Sequence, residues 1–239
     1  MNEFTYHNIF ETKGFEYIIT IIFFALLIPF WLLIKRKPRL KEQVETAKGI
    51  LKAAMMHVPG GIFVNRNHTW TFLERTGIAK VGMDIMLLKI VGNIQVEYLL
   101  KSGDSVKKGD LIAKIYSEKK HLEIHSPISG LVRDNNSLVN QPENIPVNDP
   151  YGSGWLLEIE PNNWIEETRN IRLGVEAFDW LKAELVRFKE FLVFNMHEQY
   201  ENELGAVMQD GGELREYSLS DMPEQVWQEF QNEFLNKTE

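Results

Sequence analysis

The most apolar stretch of the chain predicts a membrane span. Residues 17–34 carry no charge, and a helix needs about 20 apolar residues to cross the hydrocarbon core of a bilayer. Pro29 lies within this run, but proline is tolerated in membrane helices. Tyr17 and Trp31 stand near its two ends, where aromatic rings favour the membrane interface. We therefore predict one N-terminal transmembrane helix.

Charges on either side of this run predict its orientation. Residues 1–16 hold three glutamates and one lysine, whereas 35–39 read Lys-Arg-Lys-Pro-Arg. A cleaved signal peptide would have a basic start and a small-residue cleavage site, so an uncleaved anchor is predicted. The positive-inside rule places 35–39 in the cytoplasm. The expected location is the inner (cytoplasmic) membrane, single-pass, with the N-terminus outside and the bulk of the chain cytoplasmic.

Between the span and residue 61, the pattern predicts a basic juxtamembrane helix or linker over 35–61. Apolar residues recur every three or four positions within 40–57, which is typical of a helix, and 58–61 read Val-Pro-Gly-Gly, which ends it. Two interpretations stay open. The helix lies on the bilayer surface with its lysines toward the lipid headgroups, or it is a spacer.

From 62 to 164 the pattern changes to short apolar runs separated by turns, which predicts a mostly β domain. Strand-like runs occupy 62–64, 94–99, 111–115 and 155–159. A weak duplication relates 92–115 to 130–159, each half running strand, loop, strand. We expect two interlocked sheets with pseudo-two-fold symmetry, whose halves join at an exposed hairpin within 116–129.

The pattern after residue 164 becomes helical, so 165–239 is predicted to be a helical tail. A helix of roughly 25 residues is expected from apolar positions at three- and four-residue spacing, namely Val175, Phe178, Leu181, Leu185, Phe188 and Leu192. Asp221 with Glu224 forms a possible capping box for a last helix. That helix carries Val226, Phe230 and Phe234 on one stripe.

Charge and composition divide the chain in the same way. The net charge of −8 separates into +2 for residues 1–164 and −10 for the tail. An acidic chain of this kind is unlike a nucleic-acid binder, which shows a basic face. The complete lack of cysteine excludes disulfides, thiolate metal sites and thiol nucleophiles.

Common enzyme motifs are missing as well, so we expect no catalytic residues, no metal site and no enzyme. The sequence contains no phosphate loop, dinucleotide fingerprint or nucleophile elbow. His121 and His125 are four residues apart in strand-like sequence, which separates them by about 13 Å and is too far for one metal ion.

The motifs of residues 62–164 resemble those of the glycine-cleavage H protein, a relative of the lipoyl and biotinyl carrier domains. The matching elements occur in the family's order, and they are His68-Thr69-Trp70, Val81-Gly82 with Gly92, Gly103-Asp104-x-Val106-x-x-Gly109, Ser126-Pro127-x-Ser129-Gly130 and Asp149-Pro150-Tyr151-Gly152-x-Gly154-Trp155-Leu156. The resemblance implies an all-β barrel-sandwich hybrid (lipoyl-domain-like), here with an N-terminal transmembrane helix and a C-terminal α-helical extension.

The resemblance also implies a covalent lipoate and its attachment point. In the family, the lipoylated lysine lies eight residues before the proline of Ser-Pro-x-Ser-Gly, and this position is Lys119 here. Lys120 is a second candidate. Gly103 and Gly130 flank the lysine in the family and are expected to allow close backbone approach around the hairpin.

Two features differ from the family, and they leave two functions open. The family's Glu-Ser-Val-Lys-Ala is replaced by residues 116–120, Tyr-Ser-Glu-Lys-Lys, and the family's more polar helix after Gly82 is replaced by an apolar segment at 83–88, which suggests a different partner surface. The first function is a membrane-anchored lipoyl carrier that presents the lysine to cytoplasmic enzymes. The second is an unmodified adapter subunit of a membrane-bound, possibly redox, complex. Both imply protein partners.

Overall fold

The structure, a computed structural model, describes residues 17–27, 29, 51–141, 145–197, 208–209 and 213–236. The chain divides into two compact units, 1–48 and 49–239. In the first unit, residues 17–27 are helical with exposed apolar side chains. Among the described residues, no helix is both long and apolar enough to cross a membrane. The predicted span at 17–34 extends beyond the described residues, so it stays a prediction.

The second unit contains two antiparallel β-sheets, as the turn-rich pattern predicts. The larger has seven strands in the order β10-β1-β2-β3-β9-β8-β5, and the smaller has three in the order β4-β6-β7. Their bounds are β1 Phe63–Val64, β2 Thr69–Leu73, β3 Ala79–Met83, β4 Gln95–Tyr98, β5 Ser105–Val106, β6 Leu111–Ser117, β7 Lys120–His125, β8 Gly130–Asn135, β9 Trp155–Pro161 and β10 Arg172–Leu173. A two-stranded hairpin pairs β11 (Met208–Gln209) with β12 (Glu213–Leu214).

Alternation of apolar residues explains why the predicted strands form. In β6, Ala113, Ile115 and Ser117 face the buried side, whereas Lys114 and Tyr116 are half-exposed, as expected for a strand with one face on the core. The predicted junction between the two halves is a hairpin formed by β6 and β7. The half at 92–115 supplies β4 and β6 of the smaller sheet, and the half at 130–159 supplies β8 and β9 of the larger one.

Helix α1 (Ile85–Val91) shows why the apolar segment at 83–88 is there, and it corrects the expectation of a partner surface. Asp84 caps the helix by accepting from the Leu87 backbone N–H at 2.9 Å. Every residue of the helix except Lys89 is buried. At its C-terminal end the helix is covered by the chain's own C-terminal segment, which we define as residues 213–236. Its Tyr217 and Leu219 N–H groups donate to the carbonyls of Lys89 and Ile90.

The tail after residue 164 packs on the β domain, and its buried side chains belong to the same hydrophobic core. Short helix α3 (Trp164–Thr168) leads to β10, which pairs with β1 in the larger sheet. The predicted long helix is confirmed as α4 (Val175–His197). Its inward stripe is fully or almost fully buried from Leu181 to Leu192, but Val175 is 77% exposed and does not belong to it. A short helix, α2 (Ile145–Asn148), precedes β9.

Stacked aromatic rings join α4 to the end of the chain. The last helix, α5 (Glu224–Phe230), continues into a π-helical turn at Gln231–Leu235. Phe230 and Phe234 stack at 4.6 Å between ring centroids, and both meet Phe188 of α4 edge-on. Burying such a ring stabilises the folded state by about 1.5–3 kcal/mol. The predicted stripe of this helix is therefore confirmed as an internal contact.

One local prediction from the sequence is wrong, and another is tested only over its last residues. Asp221 does not cap the last helix, because the residue at the cap position is Pro223 and the helix begins at Glu224 without a side-chain cap. The predicted helix at 40–57 lies mostly outside the described residues. Its last described part is only a short 3₁₀ turn at Ala53–Met55, since Leu51 instead donates its N–H to Leu214 of the C-terminal segment.

Two phenylalanines in the helical tail provide a matched test of this packing. We expect Phe230→Ala to lower the free energy of unfolding by about 3–5 kcal/mol, because it leaves a cavity among buried rings. Phe194→Ala removes the same atoms from a side chain that is 74% exposed, and its effect should stay within about 0.5 kcal/mol. Urea unfolding of both variants measures the difference. Similar losses in the two variants would contradict the described packing.

Candidate functional site at the β6–β7 hairpin

A two-residue turn closes the hairpin and places Lys119 at its tip. Ser117 pairs with Lys120 as the last register pair, which leaves Glu118 and Lys119 as the turn. Glu118 has a φ of 56°, as tight hairpin turns require of a central residue. The side chain of Ser117 is buried, so the turn sits directly on a packed strand end. The turn therefore has a fixed position relative to the sheet.

Lys119 offers an accessible amine. Its side chain is exposed, and it makes no hydrogen bond or ion pair with any residue that the structure describes. An amine in this position can be acylated without breaking any contact that the structure describes. The sequence-predicted attachment residue is thus on the surface, at the tip of a rigid hairpin.

Lys120, the second candidate, has a different environment. Its Nζ donates to the carbonyl oxygens of Ser220 at 2.5 Å and Met222 at 2.8 Å, and lies 5.3 Å from the centroid of the Trp227 ring. Burial lowers the pKa of Lys120, although Glu118, Asp221 and Glu224 oppose the shift. This lysine holds the C-terminal segment against the hairpin.

Amide side chains close both edges of the three-stranded sheet. On β4, Asn140 accepts from the Val96 N–H at 2.7 Å and donates to the Val96 carbonyl at 2.9 Å. On β7, Gln231 makes the same pair of contacts with Glu123, at 2.8 and 3.2 Å. Each amide takes the place of a neighbouring strand. An open sheet edge would otherwise be a template for pairing with another chain.

The two candidate glycines lie toward the base of the hairpin, away from its tip. Gly130 begins β8 and Gly103 lies in the turn before β5, and the Leu111–His125 pair marks the base. The tip is six strand residues beyond that pair, about 20 Å away. Gly130 is required for a close approach, because a Cβ there would stand 2.2 Å from the Glu160 carbonyl oxygen. Gly103 instead adopts a φ of 96° in open space.

A polar patch lies on the outer face of the hairpin beside the tip. The Tyr116 hydroxyl donates to Glu97 at 2.6 Å, and this hydrogen bond raises the pKa of Tyr116. His121 faces the Tyr116 ring at 5.6 Å. His125 lies in the same strand, and burial lowers its pKa. Within the described ranges, no group of three or more metal-binding side chains occurs.

Comparison with known proteins identifies the family of this domain. The family model described as "Glycine cleavage H-protein" matches residues 62–181, about half of the chain. The chain belongs to the glycine cleavage H-protein family. The match continues through β10 into α4, so this H-family domain includes the start of the tail that the sequence pattern assigned to a separate extension at 165–239.

The matched region covers most of the length of each known relative. A probable glycine cleavage system H protein from Pyrococcus abyssi is 32% identical over 127 residues, covering 53% of this chain and 93% of that protein. The H protein of Myxococcus xanthus is 32% identical over 108 residues, covering 45% and 82%. A crystal structure of an H protein from Mycobacterium marinum has 24% identity and a TM-score of 0.40, covering 44% and 87%.

Sequence reasoning on this H-family protein missed the residues that surround the hairpin from the far end of the chain. Ser220, Met222, Trp227 and Gln231 are about 100 positions from their partners in β7, and two of these contacts use backbone carbonyls. No local periodicity signals such contacts. One sequence signal was available: the apolar stripe at Val226, Phe230 and Phe234 indicates that the last helix packs against another surface.

Alanine substitutions at the two glycines compare the energetic cost of a steric clash with the cost of a strained backbone conformation. We expect Gly130→Ala to destabilise this H-family protein by about 2–3 kcal/mol, because its Cβ meets a backbone atom that cannot move alone. Gly103→Ala should cost about 1 kcal/mol, the price of a positive φ in open space. Thermal unfolding of both variants gives the ranking. A larger loss for Gly103→Ala would contradict the described geometry.

Proposed function

We propose that this protein is a membrane-anchored lipoyl carrier, with lipoate joined to Lys119 through an amide bond and presented to partner enzymes. The observation that supports this most is the contrast at the hairpin tip. Lys119 is exposed and without a partner among the described residues, whereas neighbouring Lys120 is bound by the C-terminal segment. Family membership supplies the expectation that such a lysine carries lipoate.

The residues of the tip fit the proposed group. The Lys119 ammonium first loses one proton to solvent, and its neutral Nζ then attacks the carboxyl carbon of an activated lipoyl donor. The donor's leaving group departs, and a second proton goes to solvent as the amide forms. The exposed amine can reach such a donor without unfolding. When bound, the group supplies a dithiol/disulfide couple, which a chain without cysteine lacks. The proposed role is carriage, and no step of catalysis is assigned to the chain itself.

The sheet gives the carrier a rigid base. Ser117 anchors the end of β6, the turn fixes Glu118, and Asn140 and Gln231 close the two sheet edges. A partner enzyme therefore meets a tip whose backbone is held in place, and it cannot add a strand at the capped positions. Pre-organisation of this kind lowers the entropy lost when a partner binds.

Matched lysine variants test the attachment. The full chain is incubated with a lipoate ligase, ATP and lipoate, and the product is detected with a lipoyl-specific antibody. We expect Lys120→Arg to be lipoylated like the unaltered chain and Lys119→Arg to give no signal, because arginine keeps the charge but cannot form the amide. Lipoylation of neither the unaltered chain nor Lys120→Arg would contradict the proposal, as would a full signal from Lys119→Arg.

The proposed membrane anchor has its support in the sequence. Residues 17–34 are uncharged and are followed by the basic cluster at 35–39, so we propose a single span at the inner (cytoplasmic) membrane with the N-terminus outside. The carrier domain would then meet its partners in the cytoplasm. These partners are proposed to be proteins of a larger membrane complex, with no role for nucleic acid.

Membrane extraction and protease protection test this arrangement. We expect the protein to stay in the membrane pellet at alkaline pH, because a spanning helix is held by the hydrocarbon core. In spheroplasts, an N-terminal epitope tag should be removed by added protease while the H-family domain stays intact. Moving the basic cluster at 35–39 to the N-terminal side should reverse this pattern. Full release into the supernatant would contradict the proposed anchor.

The unmodified adapter is the second candidate function, and one observation favours it. The outer face of α4 exposes apolar side chains at Val186, Val193 and Phe194, which is the kind of helix face that docks on partners. Purification in mild detergent distinguishes the two functions. An adapter would carry stoichiometric partners and an unmodified Lys119, whereas a carrier would carry the lipoyl amide.

A further inference from the structure

The C-terminal segment covers only one of the two adjacent lysines at the hairpin. Two backbone carbonyls bind the Nζ of Lys120, and the Trp227 ring shields it at 5.3 Å. Lys119 has no such contact among the described residues. Because the two amines are neighbours in sequence, their different environments come from the fold.

The cover over Lys120 is itself built from buried contacts. Trp227 is 1% exposed, and its indole N–H donates to the Leu219 carbonyl at 2.7 Å. This bond holds the turn at 217–222, whose Ser220 and Met222 carbonyls face the lysine. Gln231 pairs with Glu123 three residues along the same strand. The segment therefore cannot leave Lys120 without losing several buried partners at once.

We propose that the C-terminal segment selects the modification site, by holding Lys120 out of reach of acylating enzymes so that only Lys119 is modified. This inference rests on the proposed carrier function for its biological meaning. Its physical content is a difference in amine reactivity, which exists whether or not lipoate is attached. Trp227 is thus a positioning residue, acting on Lys120 directly and through the carbonyls of the turn.

The pKa of Lys120 bears on its expected rate of acylation. Burial lowers this pKa, and a lower pKa by itself increases the fraction of neutral, nucleophilic amine at a given pH. Ionisation alone would thus make Lys120 reactive. Slow acylation of Lys120 would therefore be due to its contacts, since hydrogen bonds and the indole ring must be given up before the amine can attack.

The first test uses the unaltered full-length chain in detergent and needs no enzyme. The N-hydroxysuccinimide ester of acetate acylates accessible amines, forming the amide as N-hydroxysuccinimide leaves, and peptide mass spectrometry resolves the two lysines over time. We expect Lys119 to react about tenfold faster or more, the factor that corresponds to hydrogen bonds from a charged donor. Equal rates, or a faster Lys120, would overturn the inference.

The second test releases the segment locally. Trp227→Leu keeps an apolar side chain but removes the indole ring and its bond to Leu219, and we expect the rate at Lys120 to approach the rate at Lys119. Trp164→Leu, at a half-buried indole that packs on Phe63, is the matched control and should leave the ratio unchanged. A melting curve confirms that both variants fold. An unchanged ratio in folded Trp227→Leu would overturn the role of the segment, as would equal shifts in both variants.

Enzymatic lipoylation separates this inference from the carrier proposal. In a Lys119→Arg background we expect no lipoylation, and adding Trp227→Leu should produce lipoylation at Lys120. If this double variant stays unmodified while the Lys120→Arg chain is lipoylated, the turn position alone selects the site and the inference fails. If no variant is lipoylated but the chemical rates differ as expected, the carrier function fails and the difference in accessibility stands.

Discussion

The contact of the C-terminal segment with α1 and β7 is the interaction on which the rest of this fold depends. Helix α1 is apolar on almost every side, and Tyr217 and Leu219 cover its C-terminal end by donating to the carbonyls of Lys89 and Ile90. Strand β7 is the edge of a three-stranded sheet, and it is closed by Gln231. Two surfaces that would be open in the β domain alone are thus covered by one stretch of chain.

That contact also determines what is left accessible at the hairpin. The same segment that closes the edge of β7 binds the half-buried Lys120 amine, whereas Lys119 is exposed and has no partner among the described residues. Ring contacts between Phe188, Phe230 and Phe234 fix the position of the segment relative to α4. Packing of the tail and accessibility of the two lysines are therefore coupled, because the helices that complete the core also hold the C-terminal segment against Lys120.

The sequence was most informative where the pattern is local. Short apolar runs between turns predicted β4, β6 and β9, three- and four-residue spacing predicted α4, and the motif order led to the H-protein family and to Lys119. Reasoning failed where a residue is satisfied by a distant partner. In the sequence alone, the apolar residues at 83–88 indicate a surface for another protein, because no local pattern shows that they are buried within the chain's own fold.

The capping prediction failed for a local reason. Asp221 and Glu224 have the spacing of a capping box, but the intervening Pro223 fixes the start of the helix by its own geometry. For Lys119 and Lys120, the family's spacing to Pro127 favours Lys119 but says nothing of the environment of either amine. The tertiary structure shows that difference, through two backbone carbonyls and an indole ring about 100 residues away.

The most direct measurement is the peptide mass spectrum of residues 115–125 from protein purified out of its native membrane. Fragment ions assign any added mass to one lysine or the other. The account predicts a lipoyl amide on Lys119 and an unmodified Lys120. A lipoyl group on Lys120, or native protein with both amines free, would contradict it.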